Sequence, residues 1–517
     1  MNDLSGRVSG WGLSLPRPVW GDLIAGISVA TILIPQSMAY AELAGLPAFV
    51  GLIAAALPPI AAAIFASSPY LQTGPVAMTS LLTTGALVGL AAPFSSEYIK
   101  LAAMLALVVG VVRAGVGLLR AGVVAYLMSQ PVIMGFTNGA AILIIASQIP
   151  TAVAADPPDG RVLQRAWWTL IHPGEWEPEA VMISVLTAAV IVIGRRFSPL
   201  FPGVLIAVVG GIVFSLATDY AGPVLDNVPS QLPNLSLDLP WNMLDEILLA
   251  GAVIALVGFA EPASIARAYA ARERTSWSPD REFLSQGAAN VVSGLTGAFP
   301  VGGSFSRTSI NHLAGAKTRW SGAITGFVVL VFLPFASVLE PLPRAVLAAI
   351  VITAVAKLLR LDLLIKLWKF SKPQALIAWI TFAATLVLAP RIDLAVLVGI
   401  VTAVAVHLWR ESDVDVELEV RRDGTARIRP EGVFWFGSAP ELQKVLNELL
   451  VAYPQAKRVE VDLSGLGRVD YSSAVALREV IDDAREAGLG VYVIGVPDHA
   501  RRILLAVWGD ELEQVER

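Results

Sequence analysis

From residue 20 to residue 410 this chain is one apolar run after another, separated by little more than glycine, proline and a few charges. No other feature limits the fold so severely. About 20 apolar residues cross a bilayer as a helix, and inside the bilayer the protein itself must satisfy every backbone N–H and C=O. Composition agrees, with 55% of the 517 residues hydrophobic and 15% charged. Soluble domains carry about a quarter charged residues. The charge that exists is concentrated at the C-terminal end. The sequence therefore predicts a polytopic α-helical membrane protein followed by a small soluble domain.

Gly and Pro punctuation divides the apolar region into about fourteen spans: 20–43, 47–67, 75–91, 98–119, 124–149, 178–195, 199–218, 244–269, 283–300, 305–316, 318–338, 343–359, 373–389 and 392–410. With the N-terminus in the cytoplasm, Arg120, Arg195, Arg196, Arg267, Arg272, Arg274, Arg281, Lys317, Arg319 and the lysines from Lys357 to Lys372 all fall inside. The outer loop 219–243 carries Asp219, Asp226 and Asp238 with no Lys or Arg. This is the positive-inside bias, and an even count returns the C-terminus to the cytoplasm. The expected organisation is a cytoplasmic segment at 1–19, a transmembrane region at 20–411 and a cytoplasmic domain at 412–517. Met1–Pro18 is amphipathic and lacks the pattern of a cleavable signal.

The two halves open alike, with Ala25-Gly26 matching Ala250-Gly251. That alignment sets Gln36 beside Pro35 opposite Glu261 beside Pro262. Seven spans per half is odd, so such repeats have inverted topology. Each half also holds an unusually short, interrupted segment, opened by Thr73-Gly74-Pro75-Val76-Ala77 in one and by Gly302-Gly303-Ser304-Phe305-Ser306-Arg307-Thr308 in the other. Paired broken segments point to a transporter's binding site, and helix starts inside a bilayer direct free N–H groups at an anion.

Arg307 is the residue most out of place. A guanidinium stays charged, so within a membrane it faces water, an acid or an anion. Around it, Ser306, Thr308 and the N–H groups of Phe305 and Ser306 are the expected donors. Pro75 suits a helix's first turn, leaving Val76 and Ala77 to present N–H groups. Gln36 and Tyr40, four residues apart, share a helical face and supply an amide and a phenol. Glu261 lies deep in an apolar helix. A carboxyl poised between burial and a nearby cation can load and release a proton, so Glu261 is the expected coupling residue. Each has a plainer role as well: salt bridge for Arg307 and Glu261, helix cap for Ser304 and Ser306, packing for Tyr40. Asn138, Gln148, Asn290 and Asn311 are accounted for by interhelical hydrogen bonds.

Several classes drop out. A net charge of −5 and the lack of a basic stripe argue against nucleic-acid binding. There are no cysteines, and the four histidines, His172, His312, His407 and His499, have no metal-ligand spacing. No nucleophile–base pair, phosphate loop or cofactor motif is present, so no cofactor and no enzymatic activity are expected.

In the tail, Val414–Val420 alternates like a strand, with a turn at Arg421-Arg422-Asp423-Gly424. Helix patterns at Glu441–Leu450 and Ser472–Ala487, strands at Arg458–Leu463 and Gly490–Val496 and a helix from Asp498 make a small α/β domain. Asp470-Tyr471-Ser472-Ser473 marks a strand-to-helix loop.

These residues resemble the SulP family of anion transporters and exchangers. The resemblance rests on Ile34-Pro35-Gln36-Ser37-Met38-Ala39-Tyr40-Ala41, Thr73-Gly74-Pro75-Val76-Ala77, Pro131-Val132-Ile133-Met134-Gly135-Phe136-Thr137-Asn138-Gly139 and Pro300–Thr308, in order, with a tail similar to the STAS domain. It implies inverted repeats of seven and seven spans, two half-helices facing an anion site, a core moving against a gate, and a homodimer in a bacterial inner membrane. The implied site residues are Gln36, Tyr40, Ala77, Glu261 and Ser306 to Thr308. Ser472 matches the serine phosphorylated in STAS regulators, though Tyr471 interrupts the usual Asp-Ser-Ser run. Ala48 and Ser68-Pro69 also depart from the family pattern. A small oxyanion (sulfate, a dicarboxylate or bicarbonate) coupled to protons is the expected cargo. Sodium-coupled bicarbonate uptake, which the resemblance to cyanobacterial members implies, with Glu261, Thr296 and neighbouring carbonyls as sodium ligands, or an uncoupled anion channel or exchanger, is the alternative.

Overall fold

Apolar runs broken by Gly and Pro become helices because only a helix satisfies the backbone of a single isolated span. In chain order they are α1 (Trp20–Leu43), α2 (Ala48–Phe65), α3 (Ala77–Leu87), α4 (Ser96–Leu118), α5 (Gln130–Ala152), α6 (Val162–Ile171), α7 (Pro178–Phe197), α8 (Gly203–Thr218) and α9 (Leu244–Glu273). There follow α10 (Pro279–Leu295), α11 (Phe305–Leu313), α12 (Trp320–Phe332), α13 (Arg344–Val355), α14 (Leu361–Phe370), α15 (Lys372–Val387) and α16 (Ile392–Glu411). Two short strands, β1 (Thr73–Gly74) and β2 (Gly302–Gly303), precede α3 and α11. The structure, a computed structural model, describes residues 16–126, 129–225, 228–230, 232–411, 415–421, 424–434, 439–453 and 456–509. The expected N-terminal segment up to residue 15, Asp226 and the turn residues 422–423 lie outside them.

Every expected span carries one helix of this series, and among the described residues eight helical stretches are long and apolar enough to cross a membrane alone. Boundaries moved where local chemistry decided them. The span expected at 75–91 is a helix only from Ala77, because Pro75 is flanked by extended residues and Val76 is the N-cap, at φ −140° and ψ 149°. The span expected from 283 begins at Pro279, since Ser278 accepts the Arg281 N–H and caps the helix. Two helices were not expected as spans. Leu163, Trp167, Leu170 and Ile171 are exposed on α6, and Leu361, Ile365 and Trp368 on α14. Apolar side chains exposed at helical spacing on short amphipathic helices suit the membrane interface rather than its interior.

The most extensive helix–helix contact joins α4 to α10, where glycines let the two backbones touch. A Cβ on Gly110 would sit 2.5 Å from the Val291 nitrogen, and one on Gly117 2.7 Å from the Asp280 carbonyl oxygen. On α10, a Cβ on Gly287 would meet the Ala114 nitrogen at 2.6 Å and one on Gly294 the Ala103 oxygen at 2.6 Å. Small residues at such crossings replace the hydrophobic drive that lipid removes.

Chain contacts divide the protein into Met1–Val401 and Thr402–Arg517. The second unit contains β3 (Asp415–Val420), β4 (Thr425–Phe434), α17 (Ala439–Ala452), β5 (Arg458–Asp462), β6 (Leu466–Val469), α18 (Tyr471–Glu486), β7 (Gly490–Ile494) and α19 (Asp498–Trp508). The sheet order is β3-β4-β5-β7, with β6 beside β4. β3 pairs antiparallel and the rest parallel. Strands β4 and β6 were not expected: Pro430, Gly432 and a register shift at 432–434 break the alternation of β4, and β6 has four residues. At the end of β5, Asp462 accepts hydrogen bonds from the Ser464 N–H and from Arg427.

Two outcomes are expected. Gly287→Val should force α4 and α10 apart and lower stability by about 1–3 kcal/mol, read as the unfolding midpoint of purified protein. An unchanged midpoint would show that the crossing tolerates separation. For Asp462, burial pushes the carboxyl up, but Ser464 and Arg427 outweigh it and hold it below the ordinary carboxylate range. Its contribution is therefore complete at neutral pH and is lost as the pH falls through its folded-state value. Asp462→Asn should narrow the difference in thermal stability of this unit between pH 7 and about pH 3. A difference as wide as the parent's would place the acid sensitivity elsewhere.

Candidate functional site

The two interrupted segments meet. Thr73 pairs with Gly303 and Gly74 with Gly302 in an antiparallel ladder buried in the membrane unit. Helix α3 starts three residues after β1, and α11 starts two residues after β2, so both helix N-termini lie beside the same ladder. Helices α1 and α9, equivalent in the two halves, each pack against both α3 and α11. Pro35 in α1 and Pro262 in α9 remove an in-helix donor at equivalent places.

Arg307 lies on the first turn of α11, fully buried. A Cβ added to Gly74 would be 3.5 Å from its Nη2, which puts the guanidinium against the ladder. None of its three nitrogens has a hydrogen-bond partner, and no carboxylate of the described residues stands within 4.0 Å. The plain salt-bridge role is thus absent. Tyr40 and Glu261 lie within electrostatic reach of it, and the Phe305 N–H faces the Glu261 carboxyl. Tyr40 and Gln36 are buried on α1, and the Gln36 Oε1 has no partner. A cavity of about 380 Å³ between α1, α7, α8 and α11 includes Ile32, one turn from Gln36, together with Thr31 and Arg195. Arg195 in turn is within electrostatic reach of Tyr40.

The other expected residues have contacts of their own. Pro75 and Val76 are extended, ahead of the first helical residue, Ala77. The Thr308 hydroxyl accepts the Gln72 N–H at 3.0 Å, so it fastens the chain ahead of β1. The Ser306 hydroxyl lies 3.3 Å from that of Ser304, whose oxygen caps α11 at the Arg307 N–H. The Phe305 side chain is 55% exposed, leaving its backbone as the part turned toward Glu261. Thr296 donates to Val292 and Ser293 carbonyls and lines a separate cavity with Phe49, Ile53 and Leu333, which none of the other candidate residues lines. Ser472 is exposed on the first turn of α18, while Asp470 and Ser473 form the capping box.

The sequence reading missed Arg113, on α4. It is fully buried, and its Nε, Nη1 and Nη2 donate to the carbonyls of Ala255 (2.9 Å), Val301 (3.0 Å) and Ile254 (3.3 Å). It straps α4 to α9 and to the irregular segment entering β2. Gly258 makes room for it: a Cβ there would be 2.7 Å from Nη2. Asn290 adds a false rung, donating to the Val301 carbonyl at 3.0 Å and accepting its N–H at 2.9 Å. The Gln286 amide donates to the Thr73 hydroxyl at 2.7 Å. The only signals for these roles were an arginine inside the fourth span and two amides one turn apart.

A polytopic unit whose interrupted helices meet at a buried, unpaired cation has the architecture of a secondary carrier. Its lineage is plain. The chain belongs to the sulfate permease family, whose model matches residues 19–381, and a STAS domain matches residues 418–509. It is 32% identical over 499 residues to sulfate transporter 4.1, chloroplastic, of Arabidopsis thaliana, covering 89% of this chain and 73% of the relative. A probable sulfate transporter of Mycobacterium tuberculosis is 34% identical over 447 residues, covering 85% and 76%. In fold it is similar to the murine Solute Carrier 26 family member A9 anion transporter in the inward-facing state, with a TM-score of 0.87 at 18% identity over 96% of this chain and 89% of that one. The transmembrane domain of the cyanobacterial bicarbonate transporter BicA gives a TM-score of 0.64 at 26% identity over 74% and 97%. The chain is an integral membrane anion transporter.

Gly258→Ala tests the strap. One methyl group should displace the Arg113 guanidinium from its carbonyls and cost about 1–3 kcal/mol, seen as a lower unfolding midpoint. If the midpoint holds, Arg113 moves freely and the strap is not a constraint.

Proposed function

We propose that this protein is a secondary active transporter that moves small oxyanions of the sulfate, dicarboxylate or bicarbonate class by alternating access, with proton coupling. The observation that carries the reading is Arg307, buried at two helix starts with three guanidinium nitrogens unpartnered. The anion completes that set: the guanidinium and the N–H groups at Ala77, Phe305 and Ser306 receive its oxygens, and Gln36 and Tyr40 border it. The cavity reaching Ile32 and Arg195 is the path from one side. Glu261 carries the coupling proton. The protein works as a homodimer in the bacterial inner membrane, both termini cytoplasmic, and Ser472 is the residue open to modification. The competing reading, sodium-coupled bicarbonate uptake, draws on the likeness to BicA. The Thr296 hydroxyl, engaged elsewhere, gives it no support.

The deciding experiment is uptake of labelled sulfate, bicarbonate and a C4-dicarboxylate into proteoliposomes under separate proton and sodium gradients. Acceleration by an inward proton gradient without sodium supports the first reading, and a strict sodium requirement supports the second. Arg307→Ala should weaken the apparent affinity for the anion about 10–100-fold, the loss of a charge-assisted contact. Wild-type affinity in that variant would remove Arg307 from the site. Glu261→Gln should abolish acceleration by the proton gradient while anion exchange persists. Full acceleration in the variant would leave Glu261 a structural neighbour of Arg307.

A further inference from the structure

Helix α14 combines two features that take no part in the candidate site: an uncovered apolar stripe and a row of cations beside it. At about 100° per residue, its side chains divide into three faces. Leu364 is buried and Leu363 and Leu367 are half-buried, so that face packs on the protein. Leu361, Ile365 and Trp368 form the next face, 40%, 58% and 46% exposed. Asp362, Lys366 and Lys369 form the third, all exposed. Lys357 and Arg360 precede the helix and Lys372 follows it, so residues 357–372 hold five cations and one acid.

The one acid does not balance the row. Asp362 lies 3.4 Å from the Lys366 Nζ and 3.9 Å from the Arg360 Nε, with all three side chains more than half exposed. Ion pairs of that kind contribute little in water. Among the described residues, no carboxylate comes within 4.0 Å of Lys357, Lys369 or Lys372. Charge also separates α14 from α6, which exposes apolar side chains at the same helical spacing. Residues 156–179, around α6, hold five carboxylates against two arginines. A neutral lipid surface suits both helices, and an anionic one suits only α14.

Both ends of α14 are fastened to the same pair of helices. The Arg360 N–H donates to the Asn138 Oδ1 on α5 at 2.7 Å, and the Asn138 amide donates to the Met134 carbonyl at 2.8 Å. At the other end, Ser371 closes α14 and opens α15, so the two helices share that single residue. Helices α5 and α15 in turn touch at Gly139, where an added Cβ would meet the Thr385 Cβ at 2.7 Å. A change in the depth of α14 therefore loads that pair.

We propose that α14 is a docking surface for anionic phospholipid. It lies in the membrane plane with Leu361, Ile365 and Trp368 among the acyl chains and the lysines on the phosphates. Each ammonium near a negative surface adds attraction, and the Trp368 indole suits headgroup depth. Anionic lipid thereby fixes α14 and, through its two fastenings, braces α5 against α15. None of these side chains lines the cavity that reaches Arg195, and the inference does not depend on what is transported.

The chain has no cysteine, so Ile365→Cys carries a single environment-sensitive fluorophore. The labelled full chain is placed in phosphatidylcholine nanodiscs with a rising fraction of phosphatidylglycerol, and the emission maximum is followed. A blue shift that saturates with phosphatidylglycerol is expected. Lys366→Gln with Lys369→Gln should raise the fraction needed about 5-fold per lost charge, which takes the response out of the accessible range. Arg161→Gln with Arg165→Gln, beside α6, should leave it unchanged. If the lysine variant does not fold, the labelled parent decides: salt at about 1 M shortens the screening length to about 3 Å and should abolish the shift. No shift with phosphatidylglycerol, or a shift that survives loss of the lysines or high salt, overturns the proposal and leaves the apolar face to neutral lipid or a second copy of the chain.

Discussion

Everything at the centre of this protein depends on irregular backbone being held inside an apolar unit. Residues 66–76 and 296–304 are not helical, yet they run through the packed interior of the membrane unit. Each unsatisfied N–H or C=O there costs several kcal/mol, on the order expected for polar groups in hydrocarbon. Two ladder rungs cannot meet that demand alone. The remaining donors and acceptors are supplied by side chains from neighbouring helices: Asn290 as a false strand, Thr308 on Gln72, Glu282 on Ser67 and Ser68, Arg113 on Val301. The broken helices exist because α4, α9 and α10 carry these polar groups, and the α4–α10 glycines bring them close enough.

Arg113 and Arg307 show how one residue type serves two ends at equal burial. Both are fully enclosed. Arg113 gives each of its three nitrogens a carbonyl, and its charge is spent within the fold. Arg307 gives none of its nitrogens a partner. A folded chain tolerates a buried guanidinium when its donors are met, and one with all donors unmet is stable only where something else meets them. Burial alone does not separate the two; their hydrogen bonding does.

Much of this was legible in the sequence. The spans follow from apolar length, and the broken segments from Gly74-Pro75 and Gly302-Gly303, because glycine and proline mark where a helix stops. Less legible was which polar side chain looks inward at a ligand and which looks backward at the backbone. Thr308 reads as a donor beside Arg307, and nothing local shows that its hydroxyl also accepts the N–H of Gln72, a residue 236 positions away. Arg113 went unremarked in its span, because nothing local shows that α9 and the segment before β2 bring three carbonyls to it. Pairing across such distances is set by tertiary packing, which the period of a single helix does not encode. In the soluble unit the same limit hid β4, whose Pro430 and Gly432 are tolerated because its pairing is shared among β3, β5 and β6.

The position of Glu261 carries the argument one step further under the proposed mechanism. Its carboxyl faces the Phe305 N–H and lies within electrostatic reach of Arg307, the same donors an oxyanion needs. An ionised Glu261 and a bound anion therefore compete for one set of positive groups. Protonating Glu261 removes the competitor and frees the N–H and the guanidinium together. By reciprocity, anion binding must then favour the protonated carboxyl to the same extent that the proton favours anion binding. Coupling of this kind needs no separate proton channel, since one shared set of donors links the two ligands. It also explains why Glu261 stops short of a direct ion pair with Arg307: a closed salt bridge would satisfy the cation permanently and leave the anion without a site.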